Sequence, residues 1–75
     1  MEIWEYLVLN VTYSNENEDM VDFASANNEY VFSNVPKDEL HLYMRDLEKN
    51  GWQLENVHAE VKGHESYHFK RLPPG

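Results

Sequence analysis

Apolar residues recur along this chain in two rhythms, an alternating one towards both ends and a helical one between them. In the middle, Leu40, Tyr43, Met44 and Leu47 fall at i, i+3, i+4 and i+7, the spacing that lines one face of a helix. Val35-Pro36 marks its start, because the residue before a proline avoids the α region and proline is tolerated in a first turn. Asp38 and Glu39 in the first turn and Lys49 in the last suit the helix dipole. Asn50-Gly51 supplies a left-handed stop. Trp52 then falls where such a cap returns an apolar contact to Leu47. The pattern predicts a helix from about Pro36 to Asn50, within two residues at either end.

Ile3 to Tyr13 alternates and is rich in β-branched and aromatic residues, so it reads as a strand. One face carries Ile3, Leu7, Leu9, Val11 and Tyr13, interrupted by Glu5. The other carries Trp4, Tyr6 and Val8, then Asn10 and Thr12. Two apolar faces suit a central strand covered on both sides. A single helix covers only one of them, so the second face points to an oligomer.

Ser14 to Asp19 is a polar, acidic turn or loop. Met20–Ala24 and Glu29–Ser33 flank Asn27-Asn28, and asparagine tolerates left-handed backbone angles, which suggests a hairpin. The first arm reads equally as a strand or as irregular chain. After the helix, Trp52 and Leu54 share one parity whereas Val57, Ala59 and Val61 share the other. A bulge near Glu55-Asn56 reconciles them. Lys62-Gly63-His64 turns the chain into a last strand, Ser66 to Leu72, with Tyr67 and Phe69 on one face and His68 and Lys70 on the other. If Val57 and Ala59 share a face with Tyr67 and Phe69, paired residue numbers add to an even number. Pairing Val61 with Glu65 leaves a three-residue loop and sets His58 opposite His68 and Asn56 opposite Lys70. The next even register sets His58 opposite Lys70 and Glu60 opposite His68. Two prolines close the ladder, and residues 73–75 read as a disordered tail. These elements define a single α+β domain over residues 1–75. It is a small antiparallel sheet of three to five strands in β-(ββ)-α-β-β order, with one helix packed on one face.

Length and composition narrow the picture. A chain of 75 residues buries only about 60–65% of its unfolded surface, which leaves a marginal core. Small folds of this kind add a disulfide, a metal or a partner. The absence of cysteine removes the disulfide and the thiolate zinc site, fits a cytoplasmic location and leaves self-association or another partner as the supplement. Two Trp, five Tyr and three Phe supply apolar area for a core or an interface. Fourteen Asp and Glu against six Lys and Arg, a net charge of −8, argue against direct nucleic-acid binding. The acidic surface serves solubility or meets a basic protein partner. The first residues lack a basic n-region, and Glu5 and Asn10 break their apolar run, so neither a signal peptide nor a membrane span is expected.

Candidate chemistry is sparse. His58 and His68, with His64 nearby and Glu60 alongside, form the one cluster with metal-ligand chemistry. Their spacing matches no metal motif, and solvated strand histidines describe them better. Glu16, Glu18, Asp19 and Asp22 crowd the early loop without the glycine that a calcium loop needs. They form a solvated loop or an acidic surface for a partner. No nucleophile elbow or phosphate-cradling loop is present, and Ser66 beside His68 lacks a positioned acid, so neither catalysis nor a cofactor is expected. Trp4, Tyr6 and Val8 on the spare strand face, with Leu42 off the helix stripe, are the interface candidates. Leu40, Tyr43, Met44, Leu47, Gly51, Trp52, Tyr67 and Phe69 are the structural set.

Three fragments, Trp4-Glu5-Tyr6, Gly51-Trp52-Gln53-Leu54 and Tyr67-His68-Phe69-Lys70-Arg71, carry a resemblance. The chain resembles a family of small bacterial and phage proteins of unknown function marked by W-E-Y, a helix ending in G-W-E-L, and Y-x-F-K-R. Gln53 replaces the usual glutamate, and Ser14–Asn34 is longer and more acidic than the family pattern. The resemblance implies a strand, a helix and a hairpin in a small antiparallel sheet, and no catalytic residues. The reading that follows is a non-enzymatic binding or regulatory module that self-associates through an uncovered sheet face. The alternatives are a phage- or mobile-element-encoded acidic inhibitor of a host protein, of anti-defence type, and an oligomer that sequesters a small nucleotide ligand.

Overall fold

The first strand, β1 (Glu5–Tyr13), lies at the centre of a five-stranded antiparallel sheet. The computed structural model describes residues 3–73, apart from the side chain of Glu60. Around β1 are β2 (Met20–Ala26), β3 (Glu29–Pro36), helix α1 (Lys37–Lys49), β4 (Gln53–Val61) and β5 (His64–Arg71). The strand order is β3-β2-β1-β5-β4, so the two hairpins flank β1 and the helix connects the two edge strands. Of the expected tail, Pro74 and Gly75 lie outside the described residues.

Strand alternation builds the core. Leu9, Val11 and Tyr13 point to one side of β1 and are buried there with Val21, Ala24 and Phe69 from the neighbouring strands. Leu40 and Leu47 of α1 close over them, while Tyr43, Met44, Trp52 and Tyr67 pack half-buried at the margin. The helix ends as its sequence predicts. Gly51 takes φ +89°, the Trp52 N–H donates to the Leu47 carbonyl at 3.0 Å, and the Gly51 N–H donates to that of Glu48 at 3.0 Å. Arg71 then fastens this end of α1 to the sheet. Its guanidinium lies 4.4 Å from the Trp52 ring, pairs with Glu5 at 3.1 Å and donates to the Asn50 carbonyl at 3.2 Å.

Met20–Ala24, which reads equally as strand or irregular chain, belongs to the strand Met20–Ala26, and it forms a hairpin with β3 through Asn27 (φ +50°) and Asn28 (φ +66°). Two consecutive left-handed residues make the turn whose twist matches paired strands. The alternation of β2 is hard to read because its pairing with β1 shifts between Thr12 and Tyr13. Val21 and Ala24 both reach the core while Asp22 is left over.

The β4–β5 register corrects both sequence expectations. A bulge between Leu54 and Asn56 is present as predicted, and Val57 faces Tyr67, an even sum. Beyond that, His58 faces Ser66 and Asn56 faces His68, two residues from the nearer expected register. A second irregularity between His58 and Val61 pairs Val61 with His64, and the loop is the two-residue Lys62-Gly63 with Gly63 at φ +85°. Side-chain alternation sets only the parity of a register, so pairings two residues apart satisfy it equally.

Candidate functional site

The helix leaves the other face of the sheet open. There the even positions of β1 stand beside Phe23, Tyr30 and the even positions of β5. Tyr6 is 68% exposed, Tyr30 64% and Phe23 44%, and the Phe23 and Tyr30 rings touch at 5.8 Å between centroids. Trp4 also lies on this side, with the Lys70 ammonium 4.2 Å from its ring centre. Lys70 in turn pairs with Glu55 at 2.6 Å. Val8 is half-buried between these groups. Trp4, Tyr6 and Val8 therefore share the spare face, as the alternation predicts. Leu42, 53% exposed on α1, belongs to the opposite side of the sheet and cannot join them in one surface. Phe23 and Tyr30 belong to this face and were not singled out, because the bulges of β2 and β3 hide their parity.

Beside this aromatic patch the edge of β1 is closed by a side chain. β2 pairs with β1 only from Leu9 onward. Asn27 continues the ladder: its N–H donates to the Val8 carbonyl, its Oδ1 accepts from the Val8 N–H at 2.9 Å, and its Nδ2 donates to the Tyr6 carbonyl at 3.2 Å.

The structure brings His58 and His68 together despite the altered register. They meet as diagonal neighbours, rings edge to face with centroids 4.8 Å apart. With Val61, His64 and Ser66 they line a depression of about 240 Å³ on the open side. His64 contacts the Thr12 hydroxyl through Nδ1 at 3.1 Å, and the Ser66 hydroxyl donates to Asn10 at 2.7 Å. Among the described residues no three His, Cys, Asp or Glu are grouped to hold a metal, and the side chain of Glu60 lies outside them.

The acidic loop is folded rather than loose. The Ser14 hydroxyl accepts from the N–H groups of Glu16 and Asn17, Asn17 Oδ1 accepts from that of Asp19, and the Asp19 carbonyl accepts from that of Lys37 at 2.8 Å. Glu16 and Asp19 are exposed on it, Asp22 sits at the β2 irregularity, and Glu18 borders a groove.

That groove, about 490 Å³, opens on the helix side at the end of β1 and is lined by Tyr13, Ser14, Asn15, Glu18, Lys37, Lys62, Gly63 and Glu65. The Tyr67 hydroxyl donates to Glu65 Oε2 through a short hydrogen bond, and the Tyr13 hydroxyl, 3.1 Å from that of Tyr67 and 3.5 Å from the same Oε2, directs its single proton towards the pair. Burial pushes the Tyr13 and Tyr67 phenols above their ordinary range, and the Glu65 carboxylate pushes Tyr67 further up. Both are therefore neutral at physiological pH. The Lys37 ammonium lies 5.2 Å from the Tyr13 ring centre. Of the groups gathered here, the sequence singles out Tyr67 as structural and Glu18 as part of an acidic surface, and it does not connect them. Nothing in the spacing of Tyr13, Lys37, Lys62 and Glu65 brings them to one place.

No family model, no curated protein and no solved structure matches the chain. Among the described residues no helix is long and apolar enough to cross a membrane.

Proposed function

We propose that this protein is a non-enzymatic binding or regulatory module that self-associates by stacking the open sheet faces of two copies. One observation carries the reading: a chain of net charge −8 keeps Tyr6, Phe23 and Tyr30 exposed together on one face of its sheet, with few carboxylates among the described residues there. Among the described residues Lys70 stands there with the Glu55 that neutralises it, and exposed Asp22, between Phe23 and core-facing Val21, lies at the β2 margin of the same side. The acidic side chains of α1 belong to the helix side of the sheet, opposite that face, and salt screens exposed charges over roughly 8 Å.

The area suffices. Five strands spaced about 4.8 Å apart and rising about 3.3 Å per residue present roughly 600 Å². Two copies together then bury roughly 1,200 Å², the lower end of the range for stable interfaces. Facing sheets pack about 10 Å apart, a separation that the Tyr6, Phe23 and Tyr30 side chains fill. The non-enzymatic part of the reading is supported by Ser66, whose hydroxyl is directed to Asn10 instead of a base.

Light scattering coupled to size exclusion tests it. The wild type should run as a dimer, and a double variant carrying Tyr6→Asp and Tyr30→Asp as a folded monomer. Leu42→Asp, on the far side of the sheet, should leave the dimer intact. A strict monomer at high wild-type concentration, or a dimer lost through Leu42→Asp alone, refutes the proposal.

A further inference from the structure

We infer that the groove beside Tyr13 binds a small two-ended molecule, with a phosphate or carboxylate at the end facing Lys37 and Lys62 and an amine or hydroxyl at the end facing Glu65. The groove is built before any ligand arrives. Three separate segments meet there through backbone hydrogen bonds: the Lys37 N–H donates to the Asp19 carbonyl, the Tyr13 N–H to the Gly63 carbonyl, and the Ser14 N–H to the Met20 carbonyl. Its volume of about 490 Å³ is that of an ordinary small-molecule site.

Its charges form two poles. Lys37 and Lys62 come from different segments, and among the described residues neither forms a salt bridge with Glu18 or Glu65. Lys37 is held over the Tyr13 ring. Glu65, half-buried, turns Oε2 to the linked Tyr67 and Tyr13 hydroxyls, and no hydrogen bond among the described residues ends on its Oε1. The two tyrosines thus aim one carboxylate oxygen inward and leave the other to accept from a ligand. A plain anion meets the lysines but is repelled by Glu65 and Glu18, and a plain amine meets the reverse. A molecule with both groups satisfies both poles.

The groove opens on the helix side, so stacking of the open faces leaves it accessible, and either proposal can fail without the other. Titration of the full chain, followed by amide chemical shifts at constant ionic strength, tests it with four probes: phosphoethanolamine, β-alanine, inorganic phosphate and ethanolamine. Phosphoethanolamine or β-alanine should shift the Tyr13, Asn15, Lys62 and Gly63 amides saturably, about tenfold more tightly than phosphate or ethanolamine. The tighter of the two identifies the anion as phosphate or carboxylate. Lys37→Gln with Lys62→Gln should abolish saturation, and Glu65→Gln should erase the advantage over inorganic phosphate. Shifts no different from those produced by sodium chloride, equal binding of phosphate and phosphoethanolamine, or unchanged binding in the double lysine variant each overturn the inference.

Discussion

Asn27 offers the sharpest test of how this sheet is held. It sits in a turn with Asn28, both at positive φ, but only Asn27 reaches across to β1. Replacing either residue with glycine relaxes the same left-handed backbone. The difference between the two variants therefore isolates the side-chain bonds to the Val8 N–H and the Tyr6 carbonyl. Two such bonds are worth about 1–3 kcal/mol net. They lie at an exposed edge where water replaces them in part, which favours the lower half of that range, about 1–2 kcal/mol. For a domain of this size each kcal/mol moves the melting temperature by about 4–8 °C. Asn27→Gly should therefore melt about 4–16 °C below Asn28→Gly, which itself should match or exceed the wild type because an Asn-Gly pair suits this turn. The measurement is thermal and urea unfolding by circular dichroism, at one fixed protomer concentration so that association cancels. Equal stability of the two glycine variants would show that the Asn27 side chain does not complete the ladder.

Three further changes probe the helix clamp and the groove. Leu47→Ala should cost about 2–5 kcal/mol in urea unfolding, since Leu47 is only 8% exposed beneath Trp52; an unchanged midpoint contradicts the clamp. Gly51→Ala meets no atom within 4 Å, so its cost is backbone strain alone, about 1–2 kcal/mol, and the variant should still fold. Stability should fall as pH rises past about 10, because the unfolded chain loses tyrosine protons there that folded Tyr13 and Tyr67 retain. This contribution is intact below the unfolded value and disappears as pH climbs through the raised folded ones. Tyr67→Phe should flatten the alkaline decline seen in unfolding midpoints, and an identical slope would argue against the buried phenols.

Much of the fold was legible because its signals are local. The i, i+3, i+4, i+7 stripe, the proline start and the Asn-Gly-Trp stop place α1 to within a residue or two. The two-residue period of β1 separates a core face from a spare one, and the parity switch in β4 locates its bulge. The open face was therefore visible in Trp4, Tyr6 and Val8 before any tertiary information.

Other features depend on contacts between distant segments. Alternation is blind to a shift of two residues, so the encounter of His58 with His68 required the actual register. The irregularities in β2 and β3 concealed Phe23 and Tyr30, since each extra residue reverses the parity on which the reading rests. The sheet alone separates Leu42 from the aromatic face. The groove is the clearest case: β1, the acidic loop, the start of α1, the β4–β5 turn and β5 each contribute one to three polar residues with no shared spacing. Periodicity records which way a side chain points within its own element. Only packing decides which side chains from different elements meet.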